Sequence, residues 1–352
     1  MNIFKKLSIL CIFILIFNIL PFSYSDALCI INVEKNVPAR IGVIFYDETD
    51  AYLNSVEQYL KQIENSNPEQ VKFSFYDSKK DKELQLKQMN YLIDNKLIDV
   101  LSINLINLTN EYVEKVIDKC KEKNIPVILF NDKPNTMDAV QSYGKAIVIA
   151  TDSVQSGKLQ GELIYNLLKD GEINLSADKI LSYIMLEGKI DSESALDRTY
   201  YSISTLNSLG VKTNELALIP CQWNRECAKT EVESIFIRYG DTIELIISNN
   251  DAMALGAIDA LQKYGYNLKG GTKKIPVVGI DAIEEAQQAI KNGIMSGTVL
   301  QKPEDTANAI YSIGLNLFYN KPPLDNTIYK YSEPNLIRLP YYKYEPWIQH
   351  LY

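Results

Sequence analysis

The stretch 244–256, ELIISNNDAMALG, constrains the fold more than any other part of the chain. Residues 244–247 read as a short apolar strand. Asn249, Asn250 and Asp251 follow at once, and 252–261 has helical spacing and good helix formers. A strand, a polar turn and a helix with almost no loop form one unit of an open parallel α/β sheet. Ligands of such sheets bind in the crevice beyond the carboxyl ends of the strands. Asn250 stands at such an end, and its amide both donates and accepts hydrogen bonds, which suits a hydroxyl-rich ligand. The plainer reading is that Asn250 or Asp251 caps the helix. For one isolated unit capping is the better reading, but the unit recurs, and recurrence favours a site.

Strand–helix alternation runs through the chain in two rounds. The first places strands at 39–46, 71–76, 100–104 and 127–130, with helices at 51–64, 80–95 and 111–123 between them. The second opens with a strand at 146–150 and continues with strands at 180–186, 216–220, 244–247, 277–280 and 297–300. Its helices fall at 153–168, 195–209, 225–238, 252–261, 283–291 and 304–319. Short strands joined by single helices predict parallel sheets with right-handed crossovers. The fold class is therefore α/β, with two doubly wound parallel-sheet lobes joined by a hinge that can close on a ligand. The lobes are expected at 38–130 plus 301–339 and at 131–300 plus 340–352. Residues 336–339 read as an edge strand; the rest of the tyrosine-rich tail has no assignment.

The first 25 residues read as an export signal. Lys5 and Lys6 precede an apolar run at 7–22, and Ser23 and Ser25 supply the small residues of a cleavage site. The run is shorter than the ~20 residues a spanning helix needs. Cleavage is expected after Ser25, which leaves an exported, periplasmic chain of 327 of the 352 residues. Lipid attachment at Cys29 is disfavoured because Leu28 precedes it where a small residue belongs. A chain of this length exceeds one ordinary core, so two lobes are reasonable.

Composition excludes several function classes. The net charge is −8 with both signs interspersed, so no basic surface suggests nucleic-acid binding. The single histidine, His350, lies at the end of the chain, which removes the commonest general base and metal ligand. Lys269-Gly270-Gly271-Thr272 is a turn, since no helix bearing a Lys-Ser/Thr pair follows it. No catalytic residue is assigned, and the protein is read as a non-enzyme. Among the five cysteines, Cys221 and Cys227 are close enough to pair in an oxidising compartment, and the spacing leaves both states open.

Several motifs then occur in order: RIGV at 40–43, INL at 103–105, IPVILFN at 125–131, TDS at 151–153 and GKLQGELI at 157–164. SNNDAMALGAIDAL at 248–261, IPVVGIDA at 275–282 and SGTVLQ at 296–301 follow. From residue 40 to about 342 the chain resembles the periplasmic galactose/glucose-binding proteins of bacterial ABC transporters. The resemblance implies a type I periplasmic binding protein fold, the Venus-flytrap arrangement. It also implies capture of a monosaccharide by a monomer, delivery to an ABC permease, and contact with a chemoreceptor. Carried over position by position, the sugar site falls on Asp50, Tyr52 and Asn104 of the first lobe. Ser192, Ser194, Arg198, Trp223, Asn250 and Asp281 come from the second, with Gln301 at a crossing. The set suits a pyranose: ionised acceptors make strong bonds to hydroxyls, Arg198 offers a fork of donors, and Trp223 and Tyr52 offer apolar faces.

The chain departs from the family at several positions. Ser192 and Ser194 stand where the family has a histidine and an aspartate, Gln301 replaces an asparagine, and Tyr52 replaces a phenylalanine. A changed sugar specificity is therefore a rival to galactose or glucose. The family's calcium loop aligns with Asn174, Ser176, Asp178, Ile180, Ser182 and Glu244. Only two carboxylates remain and Lys179 replaces the turn glycine, so calcium is expected to be weak or absent, since affinity rises with ligand charge. A sensory module feeding a membrane kinase, with the same fold and another small polar solute, is the alternative. A sugar-responsive repressor core would share the architecture, but the export signal and the missing DNA-binding head argue against it.

Overall fold

The computed structural model describes residues 37–345. The expected leader at 1–25, Cys29 and His350 lie outside them. The first lobe runs β1 (Ala39–Phe45), α1 (Ala51–Ser66), β2 (Val71–Asp77), α2 (Lys82–Asp94), β3 (Val100–Ile103) and α3 (Asn110–Glu122). It continues with β4 (Val127–Asn131), the short α4 (Asp138–Gln141) and β5 (Ala146–Thr151). The second lobe holds α5 (Ser153–Lys169), β6 (Ile180–Glu187), α6 (Glu193–Ser208), β7 (Lys212–Pro220), α7 (Arg225–Tyr239) and β8 (Leu245–Ser248). Then come α8 (Asp251–Gln262), β9 (Val277–Val278), α9 (Glu284–Lys291) and β10 (Val299–Leu300). The chain ends with α10 (Pro303–Phe318), β11 (Tyr331–Glu333), β12 (Leu336–Leu339) and β13 (Tyr342–Lys343).

One sheet has the order β11-β12-β5-β4-β3-β1-β2, the other β7-β6-β8-β9, and β10 and β13 form a small antiparallel pair. All pairings in the two large sheets are parallel except β11 with β12. Strands covered by helices on both faces are apolar on both, and β1 shows why. Ala39, Ile41, Val43 and Phe45 face α1 and α10, while Ile44 faces α2 and α3. In α10, Ile310, Ile313 and Leu317 complete that first face, each stabilising the lobe by about 1.5–3 kcal/mol. Proline at the start of α10 costs nothing, because its missing N–H has no partner in the first turn.

The lobe boundary expected at residue 131 falls later. β5 pairs with β4 on one side and β12 on the other, so residues 131–151 belong to the first lobe. An apolar strand of this kind fits either sheet by composition, and only its pairing decides. The chain thus crosses between lobes after Thr151, around Gln301 and around residue 340. The edge strand β7 also starts earlier than expected. Its first four residues, Lys212 to Glu215, are polar because that end of the edge is exposed.

Two glycines of the GKLQGELI motif place α6, which carries much of the site. A Cβ on Gly157 would lie 2.9 Å from the Asp197 carbonyl oxygen, and one on Gly161 would lie 2.6 Å from that of Ser202. Only bare backbone at 157 and 161 lets α5 and α6 approach this closely.

Candidate ligand-binding cleft

The ends of β1, β4 and β5 face those of β6, β8 and β9 across a cleft of about 410 Å³, part of it open to solvent. The walls are Tyr46, Asp50, Tyr52, Asn131, Asp132 and Thr151 from the first lobe. Ser194, Arg198, Trp223, Asn250, Asp281 and Gln301 face them.

Asp50 both caps α1 and lines the cleft. Its carboxylate accepts from the Leu53 amide at 3.0 Å and from the Tyr46 hydroxyl at 2.9 Å. Burial raises the Asp50 carboxyl above the ordinary range, against the pull of those hydrogen bonds. Tyr52 is held by Thr306 of α10, their hydroxyl oxygens 2.8 Å apart. Asn250 combines the two readings of the sequence: it caps α8 by accepting from the Met253 amide at 3.0 Å and also lines the cleft. Asp251 turns away. It accepts from the Thr298 hydroxyl at 2.6 Å and the Ile283 amide at 3.0 Å, tying α8 to the segments that carry Asp281 and β10.

Arg198 is the centre of the cleft and is 5% exposed. Its guanidinium donates to the Asn249 carbonyl at 2.6 Å, to Gln301 Oε1 at 3.0 Å and to the Tyr341 hydroxyl at 2.6 Å. Asp281 Oδ1 lies 3.6 Å from Nη1. The rings of Trp223 and Tyr341 flank the guanidinium, each centroid 5.4 Å away. Burial raises the Asp281 carboxyl, Arg198 opposes that, and the charges of Asp251 and Asp50 add to it. Arg198 Nε is buried with no hydrogen-bond partner among the described residues.

Eight of the ten site residues expected from the sequence line this cleft: Asp50, Tyr52, Ser194, Arg198, Trp223, Asn250, Asp281 and Gln301. Asn104 and Ser192 do not. Asn104 is fully buried, with its amide donating to the Phe130 carbonyl at 3.1 Å just before Asn131. Ser192 is equally buried at the start of α6, its hydroxyl donating to Asp132 Oδ1 at 3.1 Å. Tyr46, Asn131, Asp132 and Thr151 were not expected. Each ends a strand or directly follows one, so applying the crevice rule to every strand would have found them. Tyr341, which braces Arg198, comes from the unassigned tail.

The lobes meet at further points. Lys189 donates to the Ile106 carbonyl at 2.5 Å. Glu193 pairs with Lys133 at 3.2 Å and Arg338 at 2.7 Å. Cys221 and Cys227 form a disulfide, and Trp223 lies inside its loop. Cys120 is free and buried.

The residues of the aligned calcium loop bond to backbone and side-chain N–H groups. Glu244 accepts from the Ser176 amide at 2.5 Å and the Ser182 amide at 2.8 Å, one with each carboxylate oxygen. Asp178 accepts from the Ile180 amide at 3.0 Å, and Ser182 from the Asn214 amide at 3.3 Å. Lys179 takes the left-handed backbone (φ 56°) where the family has glycine. N–H donors thus engage both oxygens of Glu244 and one of Asp178, and no group of three His, Cys, Asp or Glu side chains suited to a metal occurs among the described residues.

Two α/β lobes closing on a polar cleft with aromatic faces define a bilobal solute-capture protein. Residues 41–322 match the model of the periplasmic binding protein domain, and the chain belongs to that family, with its type I fold. It is 32% identical over 304 residues to the D-galactose/methyl-galactoside binding periplasmic protein MglB of Haemophilus influenzae, covering 86% of this chain and 88% of that one. It is 29% identical to the ribose import binding protein RbsB of the same organism, covering 60% of this chain and 64% of that one. Among solved structures it is similar to an ABC transporter solute-binding protein of Bacillus halodurans with bound myo-inositol. The TM-score is 0.70 at 21% identity, over 89% of this chain and 96% of that one. A galactofuranose-binding protein gives a TM-score of 0.70 at 19% identity, over 88% of this chain and 95% of that one. At such identities the structures speak for the fold alone.

Proposed function

We propose that the protein captures a monosaccharide of the galactose or glucose type and delivers it to an ABC permease. A chemoreceptor is a second recipient of the closed form. Binding takes place outside the cytoplasm, as a monomer, without covalent chemistry and without calcium. One observation carries the reading: Asp50, Asn250, Asp281 and Arg198 converge beside the Trp223 ring, in a chain similar along most of its length to a galactose-binding periplasmic protein. Carboxylates and amides meet the hydroxyl edge of a sugar, and an aromatic ring meets its apolar face. The compartment rests on the export signal read in the sequence and on the periplasmic naming of that relative.

The test is calorimetric titration of the mature protein with D-galactose, D-glucose, D-ribose and myo-inositol. Saturable binding strongest for galactose or glucose supports the reading. Preference for ribose or myo-inositol would replace the sugar while keeping capture, and silence across the panel would remove capture of these solutes.

A further inference from the structure

We propose that Asp132 is the selectivity carboxylate of the cleft: it reads ligand hydroxyls, rejects anionic sugars, and latches the two lobes. This deepens the capture reading and rests on it. Asp132 follows the last residue of β4 and lines the cleft from the first lobe. Opposite stand two hydroxyls from the start of α6 in the second lobe. Ser194 donates to Asp132 Oδ1 at 2.8 Å and Ser192 to the same oxygen at 3.1 Å, while the two hydroxyl oxygens lie 2.6 Å apart.

These three short oxygen–oxygen contacts share two protons, because each serine hydroxyl carries one and an ionised carboxylate none. If Ser192 donates to Ser194, its contact with Asp132 has no proton. The cluster is one donor short. A ligand hydroxyl supplies that donor: it donates a hydrogen bond to the Asp132 carboxylate and accepts one from Ser194 when Ser192 alone keeps its bond to Oδ1. Among the described residues no hydrogen bond meets the second carboxylate oxygen, Oδ2, so a neighbouring hydroxyl of the same ligand can reach it. A group that donates and accepts at once is the signature of a neutral polyol.

Charge sharpens the choice. Asp50, Asp132 and Asp281 line the cleft against the single guanidinium of Arg198, and that guanidinium is already bonded to Asn249, Gln301 and Tyr341. A uronate or sugar phosphate therefore meets the Asp132 carboxylate, while the Arg198 guanidinium is already engaged and Lys189, the cation beside Asp132, donates to the Ile106 carbonyl. Because Asp132 and its serines belong to different lobes, the cluster forms only on closure, and ligand recognition and closure share one group.

The test uses Asp132→Asn, which keeps the shape, and Asp132→Ala, with Ser194→Ala as a third variant. Affinity for D-galactose, D-glucose, D-ribose, myo-inositol and D-galacturonate is measured by calorimetry, and closure by small-angle scattering with and without saturating sugar. The expected result is a loss of about tenfold or more for the preferred neutral sugar in Asp132→Ala. Asp132→Asn gains relative affinity for galacturonate, and Ser194→Ala weakens binding less than either. A merely structural role would lower the melting temperature without changing that ranking. Wild-type affinities and ranking in both Asp132 variants would overturn the inference alone. Failure of the wild-type protein to bind any of the five would overturn the capture reading and this inference with it.

Discussion

A Cβ placed on Gly188 would lie 2.2 Å from the ring of Trp223. The indole lies directly on bare backbone just past the end of β6, and no other residue leaves it room. Gly188→Ala is therefore expected to push the indole off its seat. Affinity for the preferred sugar falls by about tenfold or more, and the melting temperature falls as well, because Gly188 is buried and Trp223 packs against the core around Ile184, Leu186 and Ile246. Calorimetry with the purified variant checks this. Sugar-induced fluorescence change, read in a Trp347→Phe background, reports whether Trp223 still meets the ligand. Unchanged affinity would show that the ring is not a sugar platform.

The Cys221–Cys227 disulfide closes the loop that carries that ring, with a sequence separation of six. Within it Gln222 and Trp223 both take the left-handed backbone, φ 54° and 64°, a region that non-glycine residues enter infrequently and that needs support from the surroundings. Cys221→Ser/Cys227→Ser is expected to lose about 2 kcal/mol of stability from the freed loop. It should also lose several-fold in sugar affinity as the platform relaxes. Denaturant unfolding and calorimetry separate the two effects. A variant that is less stable but binds normally would show that the bridge serves the fold and not the site.

The buried carboxylates give the unliganded protein an acid-side preference. Burial raises Asp251 and Asp281, with Arg198 opposing it in both, and Asp50 is raised as well. The folded protein then holds protons that the unfolded chain releases near pH ~4. Where the native state binds more protons, stability falls as pH rises, so these groups lower stability from about pH 4 toward neutrality. Asp47 and Glu193 act oppositely, because their partners Lys80 and Thr49, or Arg338 and Lys133, outweigh burial and hold them below the ordinary range. Their contribution is lost only on the acid side of that range. The melting temperature without sugar is expected to be higher at about pH 5 than at about pH 7.5, with Asp251→Asn flattening the difference. A melting temperature that rises over this interval would contradict the assignment.

Legibility in the sequence follows what each residue contacts. The apolar runs of β1, β3 and β4 and the units around Asn250 and Asp281 could be read directly, since burial on both faces leaves a local pattern. The sheet membership of β5 could not, because its neighbours β4 and β12 are chosen by pairing; β12 lies about 190 residues away along the chain. The polar start of β7 was hidden because an exposed edge imposes no alternation. Resemblance led to positions that match the family, and so passed over Asp132, whose role depends on Ser192 and Ser194 lying across the cleft. Tyr341 is 143 residues from Arg198, and nothing local in the tail announces that contact.

Both Glu244 oxygens accept amides, from the two ends of the 176–182 loop, at the position the resemblance assigns to the closing ligand of a calcium loop. A chelator is therefore expected to leave the melting temperature and the sugar affinity unchanged, and added calcium to leave them unchanged as well. Glu244→Ala, by contrast, strands two backbone donors and should cost about 1–3 kcal/mol, with the loop exchanging amide hydrogens faster. Glu244→Gln keeps one acceptor oxygen and should fall between. Thermal melts with and without EDTA and with millimolar calcium decide the matter. A rise in melting temperature with calcium that disappears in Glu244→Ala would mean that the amides yield to the ion and that the loop still binds it.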